Sequence, residues 1–170
     1  MDLKHFVRDV PNFPREGVLF RDFTPLLYAP DAFEELIERM ADGLEGEADA
    51  IAALDARGFV VGVGLAIKLK IPLVLMRKAG KLPGPVESVA YGLEYGNDVL
   101  EVYKYSFAPR ARVLVADDLL ATGGTVKAAC TLIERLGAHV AGCVFAIELA
   151  ALRGRNVLDD YYVRAVMTYE

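Results

Sequence analysis

The chain has 170 residues, 54% of them hydrophobic, and a formal net charge of -5. That length and apolar content suit one compact domain, residues 1–170, with a sizeable buried core, and the acidic balance argues against nucleic acid as a partner. No stretch reaches the roughly 20 consecutive apolar residues that a membrane-crossing helix requires, so the expectation is a soluble, cytoplasmic protein with no membrane partner.

The first ten residues, MDLKHFVRDV, are too short and too polar for a signal peptide. FPREGVLFRDFTPLL (Phe13 to Leu27) mixes Pro, Gly and aromatics without periodicity, which predicts an ordered loop. From Asp31 to Leu44, Phe33, Leu36, Ile37, Met40 and Leu44 recur at helical spacing, with Glu34 and Glu35 in the first turn. AIAALD (Ala50 to Asp55) predicts a short buried strand ending in an acid, and Gly58 to Lys70 a nearly all-apolar helix. Ile71 to Lys78 is the next expected strand; the Gly/Pro-rich AGKLPGP (Ala79 to Pro85) then ends all periodicity in a loop.

Strands are expected around Val89 to Tyr95 and Asp98 to Tyr103, joined as a hairpin at Gly96-Asn97. RVLVADD comes next as a strand, and Gly124 to Leu136 as a helix with Val126, Ala129, Cys130, Ile133 and Leu136 on one face. His139 to Leu149 and Tyr161 to Tyr169 complete the expected strands. Cys130 and Cys143 lack metal-ligand spacing and read as small buried hydrophobes. The alternation of strands and helices predicts an α/β fold, a mainly parallel sheet flanked by helices on both faces. Right-handed crossovers would bring the strand-to-helix loops to one edge of it, where such sheets bind ligands.

Three polar segments converge at that edge: DARG from Asp55, the stretch after Met76, and DDLLATGGT after Ala116. In VLVADDLLATGGT (Val113 to Thr125), the Gly-Gly turn opening a helix suits a phosphate, through free N–H groups and the positive end of the helix dipole. It is neither a Walker loop nor a GxGxxG fingerprint. Asp117 and Asp118, acceptors when ionised, suit vicinal hydroxyls or the water shell of a magnesium ion. Taken residue by residue, other readings stay open: solvated acids beside a capped helix, an Asp–Arg pair within DARG, a solvated basic loop, and Glu94 as an exposed hairpin carboxylate.

VLVADDLLATGGT resembles the phosphoribosyl-pyrophosphate (PRPP) motif of the type I phosphoribosyltransferases, and DDLLATGGT the members that act on adenine. The likeness extends through FPREGVLFRDFTPLL, DARGF (Asp55 to Phe59), RKAGKLPG (Arg77 to Gly84) and YGLEYG (Tyr91 to Gly96) in the family's order and spacing. It implies that Asp117 and Asp118 hold the ribose hydroxyls, and that Ala121, Thr122, Gly123, Gly124 and Thr125 cradle the 5-phosphate. Pyrophosphate falls to Asp55, Ala56 and Arg57, with a cis peptide at Asp55–Ala56, and to Arg77 and Lys81, Arg77 across a dimer interface. The resemblance makes residues 1–30 a hood over the base. There Phe20 stacks on the purine, Leu19 and Arg21 read its edge through their main chain, and Leu149 covers the opposite face. It makes residues 79–97 a lid, with Glu94 as the catalytic acid and Tyr91 and Tyr95 closing over the substrate.

The implied reaction is adenine plus PRPP giving AMP and pyrophosphate in a magnesium-dependent homodimer. Three departures from the family's usual pattern stand out: Gly92 where a small polar residue is commoner, Ala116 for a branched one, and a short N-terminal helix. A PRPP-sensing regulator would call for a nucleic-acid-binding face, and a plain nucleotide-binding module leaves the lid and hood stretches unexplained. A transferase for xanthine, hypoxanthine or guanine would favour a dedicated donor such as lysine near the hood.

Overall fold

The computed structural model describes residues 1–92 and 98–170. After a short 3-10 turn at Leu3–Phe6, two four-residue strands, β1 (Arg8–Pro11) and β2 (Leu19–Asp22), pair antiparallel as a hairpin with Val10 opposite Phe20. The sequence predicts only a loop here. Each strand is too short and mixed to show a period-2 pattern, and the turn is held by a side chain: Asn12, at φ 58°, accepts the Gly17 N–H on Oδ1 at 2.9 Å. A single helical turn, α1 (Thr24–Leu27), comes next, with Pro25 near its start.

The remaining elements are α2 (Pro30–Ala41), β3 (Ala50–Leu54), α3 (Gly58–Leu69), β4 (Leu73–Lys78), β5 (Val86–Tyr91), β6 (Asp98–Tyr103), β7 (Arg112–Leu120), α4 (Gly124–Arg135), β8 (His139–Leu149) and β9 (Val163–Tyr169). Strands β3 to β9 form one sheet in the order β5-β6-β4-β3-β7-β8-β9. β4, β3, β7, β8 and β9 run parallel, while β6 joins β4, and β5 joins β6, antiparallel. This is the expected mainly parallel sheet with helices on both faces.

Burial explains why these strands read as unbroken apolar runs. All five residues of β3 are buried. Ala50, Ala52 and Leu54 pack into the core layer beneath α4, while Ile51 belongs to the layer under α2 and α3. β7 divides likewise, Val113 and Val115 on one side, Leu114 and Ala116 on the other. α2 ends at Ala41, three residues before the last apolar position of its predicted helix, and α3 ends on Lys70 in the left-handed region, its N–H bonded to the Ala66 carbonyl. β5 begins at Val86, earlier than expected, and aligns with β6 from Val86↔Tyr103 to Tyr91↔Asp98. The predicted hairpin junction at Gly96-Asn97 lies outside the described residues. Among those described, no helix is long and apolar enough to cross a membrane.

Candidate active site

The carboxyl ends of β3, β4 and β7 open into a cavity of about 290 Å³. The turn after β3 contributes Asp55, Ala56 and Arg57; β4 ends there on Lys78; β7 brings Asp117, Asp118 and Leu119; and Thr125 enters from the first turn of α4. Tyr91 and Asp98, facing ends of β5 and β6, complete the wall. The Asp55–Ala56 peptide is cis.

Acids and cations of this cavity pair with each other. Asp118, 6% exposed, is ion-paired with Arg57, whose Nε lies 2.7 Å from its Oδ2. Asp55 accepts the Arg77 Nε at 3.1 Å, and Lys78 Nζ lies 3.5 Å from Asp98. Within DARG, therefore, the acid and the arginine do not pair with one another; each reaches a partner outside the motif. Burial pushes the Asp117 carboxyl well above the usual carboxylate range, reinforced by the charge of Asp118. Asp118 is also raised by burial, opposed by the Arg57 guanidinium. Asp117 Oδ1 accepts the Asp118 N–H at 2.9 Å, which ties the Asp117 carboxyl to the next residue's main chain.

The glycine turn comes directly after these acids. Gly123 takes φ 82°, and α4 begins at Gly124, so the first N–H groups of a twelve-residue helix face the turn without intrahelical partners. This path needs close backbone approach: a Cβ on Gly154 would lie 2.3 Å from the Ala121 carbonyl oxygen. Ala121, Thr122, Gly123, Gly124 and Thr125 thus lead from the end of β7 into α4, and Thr125 reaches the wall of the cavity that Asp117 and Asp118 line.

A second hollow, about 410 Å³, lies on one face of the β1–β2 hairpin and is lined by Arg8, Val10, Phe13, Phe20, Asp22, Thr24 and Arg57. Arg57 is the wall shared with the first cavity, its guanidinium 5.1 Å from the Phe20 ring centroid. The Phe13 ring meets Phe20 edge-on at 5.2 Å. Asp22 ties the hairpin to α1: it accepts the Arg8 guanidinium at 2.6 Å and the Thr24 N–H at 2.9 Å, and the Thr24 hydroxyl foremost, then these two bonds, hold its carboxyl below the usual range despite burial. Leu19 and Arg21 flank Phe20 on β2; Leu19 is exposed, and Arg21 pairs with Asp9. Leu149 is partly buried at the end of β8, opposite Tyr169 of β9.

Not every expected residue converges. Lys81, with Arg77, Leu73, Pro83 and Tyr103, lines a separate hollow of about 440 Å³. Glu94 and Tyr95 lie outside the described residues. Conversely, the sequence alone assigns no role to Lys78, Asp98, Arg8, Asp22 or Gly154. Asp22 carries a usable signal, an acid two residues before Thr24-Pro25 at a helix start. Among the described residues, no group of three or more His, Cys, Asp or Glu converges in a way that could hold a metal ion.

Residues 27–168 match the family described as the phosphoribosyl transferase domain. An adenine phosphoribosyltransferase of Prochlorococcus marinus is 50% identical over 171 residues, covering 99% of both chains. The crystal structure of adenine phosphoribosyltransferase from Thermoanaerobacter pseudethanolicus superposes with a TM-score of 0.95 at 44% identity, covering 99% of this chain and 98% of that one. The enzyme from Saccharomyces cerevisiae, crystallised with D-2,5-dideoxy-2,5-imino-altritol 1,6-bisphosphate and adenine, gives 0.92 at 39% identity over 96% of each chain.

Proposed function

Because the chain belongs to the phosphoribosyltransferase family, and within it to the adenine phosphoribosyltransferases, we propose that it converts adenine and PRPP to AMP and pyrophosphate in purine salvage. One observation carries the reading: a cavity bounded by Asp117, Asp118 and the glycine turn shares Arg57 with a second hollow walled by Phe20. Phosphosugar and base thus have adjoining places within reach of one residue.

In this reading the cradle from Ala121 to Thr125 takes the 5-phosphate on backbone N–H groups, and Asp117 and Asp118 accept the ribose hydroxyls. Arg57 and Lys78 at the cavity wall, with the amide of the Asp55–Ala56 bond, hold the pyrophosphate end; Arg77, paired to Asp55, and Lys81, which line the separate hollow, would have to reach it from there. Phe20 stacks on the purine, whose edge is read by the main chain of Leu19 and Arg21, and Leu149 closes the opposite face. N9 of adenine displaces pyrophosphate at ribose C1, and charge builds on the sugar as that bond breaks. Glu94 takes or shares the imidazole proton of the purine, a role worth about 10²–10⁴ in rate. Tyr91 and Tyr95 close over the reacting groups and exclude water.

Magnesium fits this donor set as an ion carried by the diphosphate and its water shell. Asp117 and Asp118 offer hard oxygen ligands of the kind it prefers, without a protein cage among the described residues. When bound, it neutralises charge on the leaving pyrophosphate. A homodimer is supported by the apolar outer side of α3, where Val60, Val63 and Ile67 are exposed, and by exposed Leu75 on the adjacent β4. The acidic charge and the substrates suit a cytoplasmic enzyme.

The test is a base panel. Purified protein supplied with PRPP and magnesium forms AMP from adenine far faster than it forms nucleotides from guanine, hypoxanthine or xanthine. Equal use of any of these bases overturns the specificity.

A further inference from the structure

Tyr169, the penultimate residue, stands far along the chain from every motif, yet it sits beneath the strand that reads the base. Its ring faces two cations. The Arg21 guanidinium carbon lies 4.2 Å from the ring centroid and the Lys4 ammonium 4.9 Å. Both are held in place by further contacts. Arg21 is ion-paired to Asp9 across the β1–β2 hairpin, with its side chain only 17% exposed, and Lys4 donates to the Thr168 carbonyl at 2.6 Å. Tyr169 itself is fixed as the last residue of β9, in register with Leu149 of β8. The ring therefore joins the edge of the large sheet to the hairpin, which otherwise forms its own two-stranded sheet.

From this geometry we infer that Tyr169 is a positioning residue for base recognition, acting through Arg21. The inference rests on the reading that the Leu19 and Arg21 main chain meets the purine edge. On β2 side chains alternate, so a guanidinium held over Tyr169 turns Phe20 to the opposite face, where the base hollow lies. Fixing Arg21 thus fixes both the plane on which the purine stacks and the backbone groups that read its edge. Lys4 supports the same ring from the N-terminal turn. The aromatic face is what the cations use, and the hydroxyl is not needed for it.

The experiment compares Tyr169→Leu and Tyr169→Phe with the wild type, measuring KM for adenine and for PRPP, kcat, and thermal midpoints. A ring–guanidinium contact of this partly buried kind is worth about 1 kcal/mol, so Tyr169→Leu raises the adenine KM about fivefold. The PRPP KM stays within twofold, and Tyr169→Phe restores the wild-type values. Arg21→Gln, which breaks the same contact from the other side, gives the same split if Tyr169→Leu folds poorly. Equal rises in both KM values, or a Tyr169→Phe defect matching that of leucine, overturns the inference. Wild-type AMP formation with an unmoved adenine KM in both Tyr169→Leu and Arg21→Gln overturns it alone. Absence of AMP formation by the wild type overturns the proposed function, and this inference with it.

Discussion

Gly154 belongs to no motif, yet it decides where the turn from Ala121 to Thr125, the proposed phosphate cradle, can lie. A Cβ added there meets the Ala121 carbonyl oxygen at 2.3 Å and the Leu120 Cδ1 and Cγ at 2.8 and 3.0 Å. Leu120 can yield by changing rotamer, but the carbonyl is backbone and opens the turn that leads to Gly123. Since carbon–oxygen contacts settle near about 3.3 Å, Gly154→Ala pushes that carbonyl aside by about 1 Å. Overpacking of this size costs about 1–3 kcal/mol, which for a chain of this length lowers the thermal midpoint by about 2–12 °C. The functional effect is larger in proportion, because a displacement of about 1 Å in a positioning element can cost about a hundredfold in rate. Steady-state kinetics at varied PRPP, beside a thermal melt of the same preparation, read both quantities. The expected result is a fall of about ten- to a hundredfold in kcat/KM for PRPP, with the KM for adenine much less affected. A Gly154→Ala protein with wild-type melting and wild-type PRPP kinetics refutes the argument that this approach shapes the cradle.

Glu94→Ala lowers kcat by about 10²–10⁴ while the Kd for PRPP, measured by calorimetry, stays within a few-fold; unchanged turnover removes Glu94 from the proton step. Asp22 gives a pH signature. Its folded carboxyl titrates below the ordinary value of 3.8, so it contributes stability above about pH 4 that is lost as pH falls through the folded value. Asp22→Asn therefore melts below the wild type at pH 7, and the gap narrows towards about pH 3. A gap independent of pH means that the lost bonds to Arg8 and Thr24 are not charge-assisted.

Legibility in the sequence tracks burial. β3, β7 and β8 have both faces covered, so they appear as apolar runs, and β8 spans His139–Leu149 as predicted. The cradle is legible because its ligand chemistry demands local residues: two acids, then glycines at a helix start. The β1–β2 hairpin is not, since its register hangs on an Asn12 side-chain bond and four-residue strands carry no periodicity. Lys78 is hidden beside Arg77 and Lys81 because a basic run reads as one solvated loop. Position on β4 separates them: Lys78 ends the strand at the cavity, whereas Lys81 lies beyond it against the other hollow. Gly154 is silent because the carbonyl it admits, that of Ala121, belongs to a distant segment of the chain, and a close approach of this kind has no sequence pattern.

The pairing inside the cavity bears on selectivity. Asp118 is 6% exposed and held by Arg57, whereas Lys78 and Asp98 are both more than half exposed. Releasing Lys78 to an anion gives up a surface pair worth about 0–1 kcal/mol. Drawing Arg57 away from Asp118 is different, because that carboxylate is buried and loses its cationic partner. Arg57 reaches Asp118 through Nε, so its two terminal amino groups can meet an anion while that pair stays in place. Under the proposed function a phosphoribosyl diphosphate would set diphosphate oxygens beside the guanidinium and ribose hydroxyls beside the carboxylate. Arg57 also faces the Phe20 ring at 5.1 Å, so one side chain forms a wall of both hollows. Under the proposed function, preference for the whole donor over free diphosphate would rest on this joint placement of acids and cations.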